Sequence, residues 1–146
     1  MRIREIEQAE RPLYAAHLKR LGPADRRMRF FGPTPDSVID AHVERLPADS
    51  ILLVAEDGGR IVAGAELHRH GSLAEFAVSV DPEHRGRGLA RHLLFSAIKR
   101  ARSENAEALC LECLASNQPM LRLARYGGMD VVREGGEVRA RLDLAA

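Results

Sequence analysis

The 146-residue chain is long enough for one domain, spanning 1–146, with one buried core. Its 22 basic and 21 acidic residues leave a formal charge of +1, which argues against a dedicated nucleic-acid binder with a strongly basic face. Aromatic residues make up only 4% and Trp is absent, so a base-stacking surface is not expected either.

Nothing in the sequence indicates a membrane segment or a secretion signal. No apolar run reaches the roughly 20 residues that cross a bilayer. The first residues, Met1–Ile6, alternate charged and aliphatic side chains and lack the apolar stretch of a signal peptide. We therefore expect a cytoplasmic protein without a membrane partner.

The two cysteines form a Cys-x-x-Cys motif inside the apolar run 108–114. On an extended strand, residues an odd number apart point to opposite faces, so Cys110 and Cys113 do not converge. A zinc site would need a second pair of ligands, and none has suitable spacing. We predict two buried thiols that act as small hydrophobic residues, and no metal.

The first half of the chain alternates strand and helix patterns. Residues 1–6 alternate as a strand, and 9–21 have a helical pattern with apolar positions Leu13, Ala16, Leu18 and Leu21. A basic and aromatic stretch, 25–33, follows the Gly-Pro break at 22–23. A second helix begins near residue 34 and is expected to bury Val38, Ile39, Val43 and Leu46.

The remaining segments predict a strand-rich centre. Strands are expected at 50–56, 60–68, 73–80, 109–114, 131–133 and 138–142, and helices at 88–103 and 117–125. The longer helix has its apolar positions at a 3.6-residue period: Leu89, Leu93, Ala97, Ile98 and Ala101. This order predicts an α/β or α+β fold with one mixed, mostly antiparallel sheet.

The most informative segment is the glycine-rich loop Arg85–Ala90, which joins the strand 73–80 to the long helix. The first N–H groups of a helix have no partner within it, and the helix dipole adds partial positive charge there. Glycines let a ligand approach the backbone. The loop therefore predicts a phosphate or pyrophosphate site; the alternative is a tight turn without a ligand. No Gly-Lys-Ser/Thr follows, so it is not a Walker loop. Its mid-chain position after a hairpin does not fit a dinucleotide fingerprint.

The spacing Arg85-x-x-Gly88-x-Ala90 after a Val-x-Val strand resembles the acetyl-CoA motif of the GNAT N-acetyltransferase superfamily. The segment 117–129 is similar to the family's second cofactor-contact region. The Arg-Phe-Phe at 29–31 resembles that of GNAT domains in bacterial protein lysine acetyltransferases, which is a weaker match. The resemblance covers nearly the whole chain and implies a three-layer fold with helices on both faces of the sheet.

The resemblance also implies where acetyl-CoA binds. The backbone of Val78, Ser79 and Val80 would pair with the pantetheine arm like an added strand. The amides of Arg85, Gly86, Arg87, Gly88, Leu89 and Ala90 would hold the pyrophosphate. Asn117 would contact the cofactor near its thiol end, although Asn before a Pro-led helix is also a good N-cap.

Direct attack of an amine on a thioester needs a base and a donor for the oxyanion. Glu75 is the expected base because it is the only ionisable residue in the apolar run 73–78, and related lysine acetyltransferases carry a Glu there. Its alternative role is a solvent-exposed residue or an ion pair. The Val80 amide is the expected donor, and His68 is a second choice of base.

Two features leave the interpretation open. Many GNAT enzymes carry a Tyr as general acid where this chain has Ala124, and Tyr126, about 200° further round the helix, is expected to pack elsewhere. Arg29, Phe30 and Phe31 would either line the acceptor entrance or, as we prefer, form a hydrophobic plug with Arg29 on the surface.

The sequence thus predicts an acetyl-CoA-dependent N-acetyltransferase that acts on a protein lysine or a small amine. A non-catalytic acyl-CoA sensor is the alternative, and a structural module is a third. The acceptor, the length of the acyl chain and a possible homodimer stay open.

Overall fold

Residues 1–145, which a computed structural model describes, build one open sheet of seven strands with helices on both faces. The elements in chain order are β1 (Arg2–Glu5), α1 (Arg11–Lys19), α2 (Pro23–Phe30), α3 (Asp36–Glu44), β2 (Ile51–Asp57), β3 (Arg60–His70), β4 (Leu73–Val80), α4 (Leu89–Ser103), β5 (Ala108–Leu114), α5 (Gln118–Tyr126), β6 (Asp130–Glu134) and β7 (Glu137–Asp143). The predicted α/β fold with a mixed, mostly antiparallel sheet is confirmed.

The strand order is β1-β2-β3-β4-β5-β7-β6, and every neighbouring pair is antiparallel except β4 and β5. β4 pairs with β3 along its whole length. Its parallel pairing with β5 covers only Leu73–Glu75 against Ala108–Cys110. The two central strands therefore separate in their second halves, and this wedge positions the candidate site.

Two hydrophobic cores lie on opposite faces of the sheet. The larger contains the apolar side of α4, and all five positions predicted to be buried there are buried. The smaller joins α1 and α3 to β2 and β3. A 3.6-residue pattern predicted α4 well because this helix packs along the sheet over its full length.

The N-terminal helices differ from the sequence prediction. Of the predicted apolar positions, Leu18 and Leu21 are buried, whereas Leu13 and Ala16 are exposed. Tyr14 is buried in their place, so the predicted apolar face was only partly right. The basic stretch contains a helix, α2, which starts after Gly22 with Pro23 in its first turn and ends at Phe31 with φ 69°. The sequence did not predict α2 because this helix is mostly polar and buries no residue fully, so it lacks an apolar periodicity.

Gly64, in the middle of β3, lies under the ring of Tyr14 from α1. A Cβ atom built on Gly64 would stand 2.5 Å from Tyr14 Cε1. Tyr14 is completely buried, so its ring has no space into which to move. The absence of a side chain at residue 64 is what lets α1 pack closely on the sheet.

We expect Gly64→Ala to lower the free energy of unfolding by about 1–3 kcal/mol, the range for overpacking a well-filled core. Urea unfolding followed by circular dichroism measures the change. Gly32→Ala is the matched control, since a Cβ there meets nothing within 4 Å. Equal losses in the two variants would contradict this account of the α1 contact.

Candidate active site

The wedge between β4 and β5 exposes one edge of the β4 backbone. The Asp81 amide donates to the Val62 carbonyl at 2.7 Å, so the odd-numbered residues here bond toward β3. Backbone groups alternate in direction along a strand, so the amides of Val78 and Val80 point toward β5. The β5 ladder ends at Glu75, and these amides are left free for an added strand-like ligand.

The glycine-rich loop follows β4 at the wide end of this wedge, where β4 and β5 are no longer paired. Gly86 and Gly88 have φ values of +76° and +75°, in the left-handed region that favours glycine. α4 begins at Leu89, and Gly88 provides no side-chain cap for its first turn. The first N–H groups of α4 therefore have no side-chain cap, and the helix dipole favours an anion beside them.

Loop and wedge together form a cleft of about 600 Å³. The cleft is lined by every residue predicted to bind the cofactor except Arg87: Val78, Ser79, Val80, Arg85, Gly86, Gly88, Leu89, Ala90 and Asn117. Arg87 is exposed and lies outside this lining. The structure therefore brings the predicted backbone residues together around one hollow.

Helix α2 forms a wall of the cleft. The sequence suggested Arg29 as one possible lining residue, but not Asp25 or Met28. Asp25, Met28 and Arg29 line the cleft, and Asp25 Oδ2 forms a salt bridge with Arg85 Nη2 at 2.7 Å. Arg91 and Arg122 add positive charge at its border. The three arginines in 26–29 were the only sequence signal for this wall, but they did not indicate which side chains face the cleft.

Asn117 is buried and serves as the N-cap of α5. Its Oδ1 accepts from the Met120 amide at 3.2 Å, which shows the capping role. The residue also lines the cleft, so its predicted cofactor contact remains compatible with the cap.

Glu75 lies at the narrow end of the wedge, as the last β4 residue paired with β5. Its side chain is 54% exposed, and its Oε2 lies 3.2 Å from His70 Nε2. Strand alternation puts it on the same sheet face as Ser79. It does not line the cleft itself, so its role as base stays a prediction.

The prediction that Arg29 lies on the surface is wrong. Its side chain is only 11% exposed, and Nη2 donates to Glu66 Oε2 at 2.5 Å. Phe30 is partly buried against the α1–α3 core, whereas Phe31 is exposed. Only one of the two aromatic residues therefore belongs to the predicted plug, because the left-handed turn at Phe31 directs the chain away from the core.

Glu66 is the centre of a buried polar cluster on β3. Its carboxylate accepts from Tyr14 Oη at 2.6 Å and lies 2.9 Å from ring nitrogens of His42 and His68. Burial alone would raise the pKa of Glu66, but Arg29 and the two histidines outweigh it and hold the pKa well below the usual 4.5. His68 is thus engaged with Glu66, away from the cleft.

Tyr126 lies on the protein surface, outside the cleft. It is half exposed, stacks under the Arg91 guanidinium at 4.0 Å and meets Phe95 edge to face. Ala124 is completely buried. Neither residue offers a hydroxyl to the cleft.

The cysteines lie as predicted on β5, with Cys113 buried and Cys110 partly buried. Burial raises the pKa of both thiols. In the described part of the chain, no group of three or more His, Cys, Asp and Glu residues is placed to hold a metal ion. Residues 1–145 also contain no helix long and apolar enough to cross a membrane.

These features agree with comparisons to known proteins. Residues 6–128 match the Acetyltransferase (GNAT) family, and the chain belongs to that family. Its fold resembles the GNAT domain of S. lividans PAT, at 26% identity and a TM-score of 0.87, over 97% of this chain and 89% of that one.

Two more distant structures share the fold. The ribosomal-protein-alanine N-acetyltransferase from Brucella melitensis has 20% identity and a TM-score of 0.75, over 99% of this chain and 100% of that one. The PaiA N-acetyltransferase from Thermoplasma acidophilum, solved with coenzyme A, has 15% identity and a TM-score of 0.74, over 97% and 98%. The chain is a GNAT-family N-acetyltransferase.

We expect Glu66→Gln to lower the free energy of unfolding at pH 7 by about 3 kcal/mol, because the buried Arg29 loses its counter-charge. A carboxyl with a lowered folded-state pKa stabilises above pH 4.5 and loses that contribution as pH falls through its folded-state pKa. The difference between wild type and variant should therefore shrink from pH 7 to pH 3 in urea unfolding.

Asp143→Asn is the control for this experiment. It removes an exposed carboxylate paired with Arg141, and no measurable loss is expected. A Glu66→Gln variant as stable as wild type at pH 7 would contradict the proposed balance of buried charges.

Proposed function

We propose that this chain transfers the acetyl group of acetyl-CoA directly to an amine, on a protein lysine or a small molecule. The observation that carries the proposal is the wedge between β4 and β5, which leaves the Val78 and Val80 amides free beside an uncapped helix N-terminus. Coenzyme A bound to the Thermoplasma relative supports the donor. The likeness to the GNAT domain of PAT, together with the Arg29-Phe30-Phe31 motif, supports a protein lysine.

Each part of the cleft suits one part of acetyl-CoA. The pantetheine amides would pair with the backbone of Val78 and Val80, as an added strand does. The pyrophosphate would accept from the amides between Arg85 and Ala90, with charge from Arg85 and Arg91. One of the two β4 N–H groups, that of Val80 or that of Val78, would donate to the oxyanion that forms when the amine attacks, and the other would pair with pantetheine.

We propose that Glu75 is the general base, which takes up the proton of the incoming amine directly or through one water molecule. The support is its place where β4 and β5 separate, and its exposure to a solvent-borne amine. An amine that is protonated near pH 7 must lose a proton before its lone pair can attack, and a carboxylate that solvent reaches can pass that proton on. The departing thiolate has no tyrosine donor here, because Ala124 stands at the usual position and is buried.

Gly88→Glu should abolish acetyl-CoA binding, because a carboxylate would face the pyrophosphate at a backbone position with φ +75°. Isothermal titration with acetyl-CoA measures this loss, and circular dichroism checks the fold. Gly71→Glu is the matched control: Gly71 has φ +62° but precedes the other end of β4. Unchanged affinity in Gly88→Glu would contradict the pyrophosphate assignment.

Glu75→Gln should lower kcat by about 100-fold or more, the usual contribution of a general base, and leave the affinity for acetyl-CoA within about twofold. Thiol release with a panel of lysine peptides and small amines gives the rates. Glu104→Gln removes an exposed, ion-paired carboxylate far from the cleft and should keep the wild-type rate.

A wild-type rate in Glu75→Gln would exclude Glu75 as the base. Binding of acetyl-CoA without release to any amine in the wild-type protein would instead favour the acyl-CoA sensor.

A further inference from the structure

Three buried side chains form a hydrogen-bonded row beside the cleft. Ser79 Oγ lies 2.8 Å from His17 Nε2, and His17 Nδ1 lies 2.6 Å from Asp81 Oδ1. Arg20 Nε donates to the other Asp81 oxygen at 2.9 Å. His17 comes from α1, whereas Ser79 is the penultimate residue of β4 and Asp81 directly follows that strand, so the row depends on the packing of α1 against the sheet.

The hydrogen bonds define the direction of proton movement. A carboxylate only accepts, so Nδ1 of His17 carries the proton shared with Asp81. Nε2 is then free to accept from the Ser79 hydroxyl. Burial lowers the pKa of His17, which keeps the ring neutral near pH 7. The hydrogen bonds from His17 and Arg20 outweigh burial and lower the pKa of Asp81, which stays ionised.

Ser79 is the member of this row that belongs to the lining of the cleft. Its side chain lies on the α1–α3 face of the sheet, and Leu21 of that core also lines the cleft. His17 is completely buried behind Ser79. The neighbours of Ser79, Val78 and Val80, hold the free amides at the open edge of β4. A hydroxyl with a histidine base, an orienting carboxylate and adjacent amide donors is the arrangement that activates a serine nucleophile.

We propose that Ser79, His17 and Asp81 form a nucleophilic triad that gives this chain a second activity, the hydrolysis of acetyl-CoA through an acetyl-Ser79 intermediate when no amine is bound. The inference rests on the proposed binding of acetyl-CoA in the cleft. It goes beyond direct transfer because the acetyl group passes through the protein.

The steps balance without another cofactor. Ser79 Oγ bonds to the thioester carbonyl carbon as its proton moves to His17 Nε2. The carbon–sulfur bond breaks, and the CoA thiolate takes that proton from His17 and leaves as the free thiol. Water then attacks the ester and gives one proton to His17, which returns it to Ser79 Oγ as the acetyl–oxygen bond breaks. Acetic acid leaves with the second proton of the water and releases it to solvent as acetate forms.

A second serine, Ser50, allows a test of whether acetylation requires a serine in the cleft. Ser50 Oγ lies 2.9 Å from His68 Nδ1, and His68 Nε2 lies 2.9 Å from Glu66 Oε1. The residue types and spacings resemble those of the triad, but Ser50 lies outside the cleft. Only a serine placed at the thioester should become acetylated, so Ser50 serves as the matched control.

The experiment incubates the full chain with acetyl-CoA and no amine. We expect steady release of the CoA thiol, and intact mass spectrometry should show one added acetyl group that peptide mapping assigns to Ser79. Ser79→Ala should keep acetyl-CoA affinity within about twofold, lose the adduct and release thiol at least about tenfold more slowly. Ser50→Ala should behave as wild type.

His17→Gln is a second variant and should also lose the adduct, because its side chain cannot take up the serine proton. If its fold fails, Ser79→Ala alone decides, since the loss of one hydroxyl leaves the backbone intact. Acetyl-CoA binding without an acetyl group on Ser79 would overturn the triad and leave the cofactor site standing. An acetyl group found on a lysine instead would also overturn it, and no binding at all would overturn both proposals.

Discussion

The interrupted hydrogen-bond ladder between β4 and β5 is the constraint on which the rest of this structure depends. Each strand is fully paired on its outer side, β4 with β3 and β5 with β7, but they pair with each other over only three residues. Backbone groups left unpaired in the middle of a sheet are costly unless water or a ligand satisfies them. A ligand that carries its own amides and lies as a strand between β4 and β5 would satisfy the unpaired backbone groups of both strands.

The wedge is held in place from the α1–α3 face by polar contacts that link distant parts of the chain. Asp25 of α2 holds Arg85, and Arg29 holds Glu66. The Arg29–Glu66 pair is buried, and a hydrogen bond between buried charges defines a geometry more narrowly than apolar packing, because it has a required distance and direction. The Asp25–Arg85 pair is partly exposed and contributes less. The N-terminal helices therefore act as a wall whose position relative to β4 is set by charge pairs.

The parts of the fold predicted from the sequence are those with local causes. The periodicity of α4, the turn glycines at 86 and 88 and the N-cap Asn117 depend on neighbouring residues, and all were identified. The contacts of His17 with Ser79 and Asp81, and of Arg29 with Glu66, join residues 37 to 64 positions apart, and no local pattern encodes them. Glu66 offered the same signal as Glu75, a carboxylate inside an apolar strand, yet only Glu75 was considered.

The buried row of Ser79, His17 and Asp81 needs an explanation beyond the attachment of α1 to the sheet. Tyr14, Leu18 and Leu21 already bury that helix through apolar surface, and apolar packing anchors a helix at lower desolvation cost than a buried ion pair. A polar row that ends in a hydroxyl on the cleft, beside two free amides, has a chemical use that an anchor lacks. In this proposal, the separation of β4 from β5 that would admit acetyl-CoA also exposes the stretch of β4 that carries Ser79.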